Sequence, residues 1–310
     1  RRSSPHAEAY DLYLQGRHLW NRLTPETSRR AVQCYQRATE LDPGFALAWA
    51  GLADTYAASP ITGDVPPLAV WPSAREAVER ALASAPTLAE SQTSAGSLQY
   101  WLDWDWLAAE AAYRQAAELD RGYALAPRML GVVLAYQGRH DEARHFMRRA
   151  RELDPLYAMH QALSAHVALL AGAYDEGLSF ARQALVIDPQ FWIGYFQFAQ
   201  LCERMGRYEE ALDALVAGER FNGNSKMLSL RGFIYARQSR VDEARQVLQT
   251  LTAIARERYV PPYAMALVHL GLDDVDEAFA WLERALAVRD VHLIFLPVDP
   301  KWDHLLGDVR

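Results

Sequence analysis

The sequence predicts an all-α solenoid of stacked antiparallel helix pairs, and three observations carry that prediction. A Glu-Leu-Asp phrase or a variant of it, followed by a turn, recurs with its turn position at Pro43, Pro86, Arg121, Pro155 and Pro189. The steps between those positions are 43, 35, 34 and 34 residues, a regular period of the kind that marks a repeat architecture. A second phrase recurs in one register: Gly138-Arg139-His140-Asp141-Glu142-Ala143, then from Gly172, Gly206, Ser239 and Asp273. The third observation is a small–bulky–small triplet, as in Ala109, Tyr113 and Ala116, in Ala143, Met147 and Ala150, and in Ala211, Leu215 and Gly218.

Each element follows from these patterns. The first helix of a pair is clearest after Pro43, where Phe45-Ala46-Leu47-Ala48-Trp49 leads to Leu52-Ala53 and Tyr56. The small residue lets two helices approach closely while its large neighbours fill the space beside it. The second helix opens with acidic residues such as Asp141-Glu142, which suit a helix N-terminus. Asp followed by Pro then stops it. The spacing gives helical pairs near 6–42, 44–85, 87–120, 122–154, 156–188, 190–222, 224–256 and 258–290, the first and last degenerate as terminal repeats usually are. The long second unit contains Ser59-Pro60-Ile61-Thr62-Gly63-Asp64-Val65-Pro66-Pro67, and its prolines predict a loop between the two helices. Residues 291–310 predict a cap on the last apolar face, with Ile294-Phe295-Leu296 followed by the helix-breaking Pro297 and Pro300.

These signatures resemble the tetratricopeptide repeat: the 34-residue period, the Leu-small pair with its flanking aromatics, and the small–bulky–small second helix. The resemblance implies a right-handed superhelical solenoid of about eight repeats plus the C-terminal cap. Three further stretches, Glu8 to Arg22 at the start, Trp101-Leu102-Asp103-Trp104-Asp105-Trp106, and Val298-Asp299-Pro300-Lys301-Trp302-Asp303-His304-Leu305, are similar to a group of bacterial tetratricopeptide domains. Domains of that group lie C-terminal to winged-helix regulators, adenylate cyclases or serine/threonine kinases. The resemblance therefore implies a bacterial, cytoplasmic interaction or sensor module with an effector domain upstream. The start, Arg1 to His6, has neither Met nor an apolar core of the kind a signal peptide carries, and reads as part of a longer protein.

Composition narrows the function classes. The net charge is −7, with 32 basic residues of which only Lys226 and Lys301 are lysines. Such a balance does not form the basic face a nucleic-acid partner needs. No apolar run reaches the roughly 18 residues expected of a membrane-spanning helix. Cys34 and Cys202, far apart among apolar neighbours, read as buried free thiols of a reducing compartment.

In tetratricopeptide superhelices the first helix of each pair lines the concave groove. Aligning the units on their Leu-small pair places Tyr13, Arg17, Trp20, Asp54, Tyr100, Arg128, Tyr136, His166, Phe196, Gln200, Phe233, Arg237 and Tyr263 there. Aromatic and Arg side chains are what protein-binding hot spots favour, although each such position can equally pack between neighbouring first helices. A subtype of the family clamps a C-terminal carboxylate with Lys, Asn and Arg. The corresponding positions here hold Tyr13, Arg17, Ala50 and Asp54, so that clamp is absent. The expected ligand is a helix or extended polypeptide segment with apolar anchors; self-association through an incompletely capped end is a further expectation.

Catalytic signatures are sparse: the sequence has no Gly-rich phosphate loop, no Gly-x-Ser-x-Gly and no His-Glu-x-x-His. His140 and His145, like His160 and His166, have spacings that do not share one helix face, so no metal or other cofactor is expected. Asp103 and Asp105 sit among tryptophans in a turn, where capping and packing account for them. The alternative function class is a small-molecule or catalytic site formed by the 60–67 loop and the 101–106 turn.

Overall fold

A computed structural model of the chain describes residues 7–305. Arg1 to His6, read above as unlike a signal peptide, and residues 306–310 of the expected cap lie outside the described residues. The described residues form sixteen α-helices, with short 3-10 segments at the C-terminal end. The chain divides into two compact units, residues 1–133 and 134–310, and the division falls inside α7 (Leu125–Tyr136).

The first unit holds α1 (Ala7–Trp20), α2 (Pro25–Leu41), α3 (Ala46–Gly63), α4 (Pro67–Ser84), α5 (Ala89–Leu98) and α6 (Trp106–Leu119). Its pairs are α1 on α2, α3 on α4 and α5 on α6, while the first helices α1, α3 and α5 also pack on one another. The second unit holds α8 (His140–Leu153), α9 (Ala158–Leu170), α10 (Tyr174–Ile187), α11 (Trp192–Arg204), α12 (Tyr208–Glu219), α13 (Ser225–Arg237), α14 (Val241–Ala255), α15 (Pro262–Gly271) and α16 (Val275–Ala287). Here α9, α11, α13 and α15 are the first helices, each packed on its own partner and on the next first helix.

The small–bulky–small triplets form the core of each second helix. Ala109, Tyr113 and Ala116 are fully buried, and Ala143, Met147 and Ala150 match them. In α2 the equivalent Tyr35 lies between Gly16 of α1 and Gly51 of α3, and a Cβ at either glycine would come within 2.6 Å of its ring. Glycine is required there by close approach.

The recurring turn has a single cause. Gly138, Gly172 and Gly206 have φ of +75°, +70° and +72°, and the equivalent Ser239 and Asp273 have +60° and +58°. Each sits just past a helix end. At the first copy the Gly138 N–H donates to Ala135 O and the Arg139 N–H to Leu134 O, and the other copies repeat that pair of bonds. The last carbonyls of each first helix are thereby satisfied. Arg139, Arg207 and Arg240 then precede the second helix and pair with Glu142, Glu210 and Glu243 three residues on.

Two expectations need correction. The 59–67 segment is not a loop: α3 runs to Gly63 with Pro60 inside it, and α4 starts at Pro67, leaving only Asp64, Val65 and Pro66 between them. Proline at 60 removes the N–H that would reach the Tyr56 carbonyl. The Ser59 hydroxyl donates to that same oxygen at 2.9 Å, so the helix continues. Cys202 is buried as expected, and burial pushes its thiol up to about 11, but Cys34 is only half-buried on α2. No described helix is long and apolar enough to cross a membrane.

A non-glycine residue in left-handed backbone costs about 1 kcal/mol or more. Ser239→Gly is expected to raise the melting temperature, consistent with a gain of about 0.5–1 kcal/mol, and Gly138→Ala to lower it by a similar amount in the same thermal-denaturation assay. Equal melting temperatures would show that the turn conformation is not needed.

Candidate binding faces

In the first unit the predicted groove residues are mostly interior. Tyr13 packs edge-on against Phe45 at 5.4 Å and also meets the Tyr35 ring, so it joins α1 to the start of α3 and to α2. Tyr100, Asp54 and Arg128 are also buried, Trp20 is half-buried, and Arg17 is exposed with its guanidinium 5.8 Å from the Tyr13 ring. Burial pushes the Asp54 carboxyl up to about 7. The Ser94 and Ser97 hydroxyls and the Arg128 guanidinium oppose that shift, and Glu90 reinforces it.

The Trp-rich turn is structural. A π-helical turn, Gln99–Asp103, ends α5, and Trp104 follows it at φ +60°. The Asp103 carboxylate accepts hydrogen bonds from Trp71 Nε1 at 2.9 Å and from Arg75 at 2.6 Å, which ties α4 to this turn. Asp105 caps α6 by accepting from the Ala108 N–H. Both carboxylates are engaged in holding helices.

The second unit brings several predicted residues together around a part of the chain that was expected to be a simple end cap. After α16 the chain forms 3-10 turns over Val291–Phe295 and Pro300–Leu305. Asp290, almost fully buried, roots this segment: it accepts from the Tyr263 N–H at the start of α15 and from the His292 N–H. His292 stacks on Tyr263, and Trp302 Nε1 donates to the Tyr263 hydroxyl at 2.9 Å. The segment reaches well beyond the last helix pair. The Phe295 ring meets Tyr136 at 5.8 Å and His166 at 6.2 Å, and the Lys226 ammonium lies 5.6 Å from Phe295 and 5.3 Å from Phe196. Lys301, buried, is 2.9 Å from Asp299 and 3.4 Å from the Gln200 side-chain oxygen. The correction is therefore one of extent: the segment lies along α9, α11, α13 and α15, not on the terminal pair alone. A chain with an unpaired first-helix face on one side and apolar anchors on its own tail buries one against the other.

Tyr136 and His166 are joined by a 2.6 Å hydrogen bond between the phenol and Nε2. Burial lowers the His166 pKa to about 4; Asp299 opposes this, and Lys226 and Lys301 reinforce it. Gln200 is buried and donates to Gln197, Phe196 is half-buried, Phe233 is buried within α13, and Arg237 is exposed. The signal for the segment was present as Val298 to Leu305, but nothing in the spacing indicated what it packs against. His160 is buried in α9, and among the described residues no group of His, Cys, Asp and Glu is arranged to hold a metal ion.

Residues 104–158 and 128–190 match the tetratricopeptide repeat family profile. The matched stretch runs from α6 to α10 and is similar to tetratricopeptide repeats. Known structures extend the likeness. A chain of the APC/C hetero-tetramer Cut9–Hcn1 matches with a TM-score of 0.66 at 12% identity, covering 96% of this chain and 55% of that one. A tetratricopeptide repeat protein of Parabacteroides merdae matches at 0.56 and 16% identity, over 86% of this chain and 100% of its own. A thermophilic protein of the same repeat class from Thermus thermophilus matches at 0.51 and 18%, over 63% and 99%. At these identities the likeness is one of fold. No curated protein matches the sequence.

Asp54 and His166 give opposite pH signatures. The folded protein keeps a proton on Asp54 at pH values where an unfolded aspartate has lost it, so this group's contribution to stability falls as pH rises from about 4 to 7. Asp54→Asn should therefore gain on the wild type by about 2 to 3 kcal/mol between pH 5 and pH 8 in urea denaturation. An unfolded histidine protonates near 6.5 while folded His166 resists until about 4, so its contribution is present above pH 6.5 and is lost as pH falls. His166→Gln should flatten the loss of stability between pH 6.5 and 4. A pH-independent difference from wild type in either series would contradict the assigned environment.

Proposed function

We propose that this chain is a non-catalytic interaction or sensor module, binding a polypeptide segment on the first-helix side of its repeats. In this reading occupancy is passed to an upstream effector domain in a bacterial signalling or transcription protein. One observation carries it: the α9, α11, α13 and α15 face already holds the 291–305 segment through the Phe295 ring, the Lys301 ammonium on Gln200 and the Trp302 indole. That is the mixture of anchors found in protein-recognition hot spots. Repeat architecture supports the coupling, since each repeat contacts only its neighbours and small rotations accumulate along the array. The alternative of a small-molecule or catalytic site at the 60–67 and 101–106 segments finds no support: the first is largely helix, and the Asp103 and Asp105 carboxylates are occupied.

The test is selection from a displayed random-peptide library on the intact chain, followed by calorimetry. Selected peptides are expected to bind with Kd near micromolar, an ordinary value of about −8 kcal/mol. Phe196→Ala with Lys226→Ala, a half-buried pair chosen to spare the core, should weaken them at least tenfold while leaving helicity intact. No enrichment, or full affinity in the double variant, would remove this reading.

A further inference from the structure

We infer that residues 291–305 are a built-in ligand of the second unit's first-helix face, a strap that must lift before an external segment of the same chemistry can bind. The inference rests on the module reading above and deepens it by naming the ligand class. That class is a short segment of 3-10 turns carrying an aromatic residue, an Asp four positions later, a Lys two positions after that, and then an indole, as in Phe295, Asp299, Lys301 and Trp302.

The contacts divide the strap into a fixed root and a detachable body. Asp290 locks the root, because its carboxylate caps the start of α15 and also holds His292 through backbone and ring nitrogen atoms. Beyond Phe295 the regular structure is one six-residue 3-10 turn, a geometry with little stability of its own. What holds that body is side-chain docking at separate points. Phe295 sits beside Tyr136, His166 and Lys226; Lys301, paired with Asp299 inside the strap, sits beside Gln200; Trp302 sits on Tyr263. Pro297 and Asp303 stay exposed between these points.

The anchors are specific more than they are strong. The Lys301–Asp299 pair lies within the strap, where it positions the ammonium that meets Gln200 while its desolvation offsets much of its attraction. Composition points to the same place. A chain with 32 basic residues uses lysine only at 226 and 301: Lys226 of α13 lies against Phe295 of the strap, and Lys301 belongs to the strap itself. A strap closed in 99% of molecules would raise the apparent Kd of an outside competitor about a hundredfold, so its release is a switch of useful size.

The test uses the full chain and a fluorescent synthetic peptide with the sequence of residues 291–305. Hydrogen exchange on the unmodified protein should show amides of 296–305 exchanging at least tenfold faster than those of α9, α11 and α13. The peptide should bind Phe295→Ala at least tenfold more tightly than wild type, with unchanged circular dichroism. Lys301→Ala serves as the second variant if Phe295→Ala loses helicity. Strap amides as protected as the helices, or equal peptide affinity for wild type and a folded variant, would overturn the inference and make the segment a permanent cap. If library peptides still bound in that case, the module reading would stand without the strap. Absence of binding by library and strap peptides alike would remove both.

Discussion

The structure depends on one steric constraint: a large side chain of a second helix must meet very small ones on the first helices around it. The clearest case is Tyr35, whose ring fills the space left by Gly16 on one side and Gly51 on the other. Tyr113 against Gly96 repeats the arrangement. Close packing at interior density leaves no room for an added methylene at such a contact without displacing a helix. The constraint fixes the distance between helices, and the distance fixes which side of each first helix is left for other partners. Burial also raises the phenols of Tyr35 and Tyr113 well above their ordinary pKa, so these rings act as neutral spacers at any physiological pH.

The turns complete the repeat by a different route. A helix ending in exposed carbonyls needs a residue that can turn left-handed, and Gly138, Gly172 and Gly206 provide it at no steric cost. Ser239 and Asp273 keep the same conformation without glycine. The repeat therefore tolerates sequence drift at a position whose geometry it does not give up, because packing of the adjoining helices outweighs the local strain.

Much of this was legible in the residues. The period, the turn phrase and the small–bulky–small triplets each report a local rule, and local rules are readable one element at a time. Pro60 shows where such reading fails. Proline is a helix breaker on average, but a serine one residue before it supplies the missing donor, and that exchange is visible only in three dimensions. The groove positions fail for another reason. Repeat position says which side of a helix a residue faces, yet Tyr13 and Tyr263 are buried by Phe45 and Trp302 respectively. Lys301 and Gln200 meet across 101 residues of sequence, and no periodicity records such a contact.

The choice of lysine at the strap has a physical reason that follows from the same geometry. A guanidinium carries five donors in a rigid fork and leaves several of them unsatisfied when enclosed; an ammonium is compact, carries three, and can rotate them. The space around Lys301 offers Asp299 and Gln200, with the buried carboxyl of Glu203 close enough to feel its charge. Burial raises the Glu203 pKa while the Lys301 charge opposes that shift. Removing the strap would take away Lys301 and its partner Asp299 together, leaving Glu203 with Arg204 and Arg237 as its nearby cations. A competing segment without a cation at this point would lose the compensation that Lys301 gives the buried Glu203.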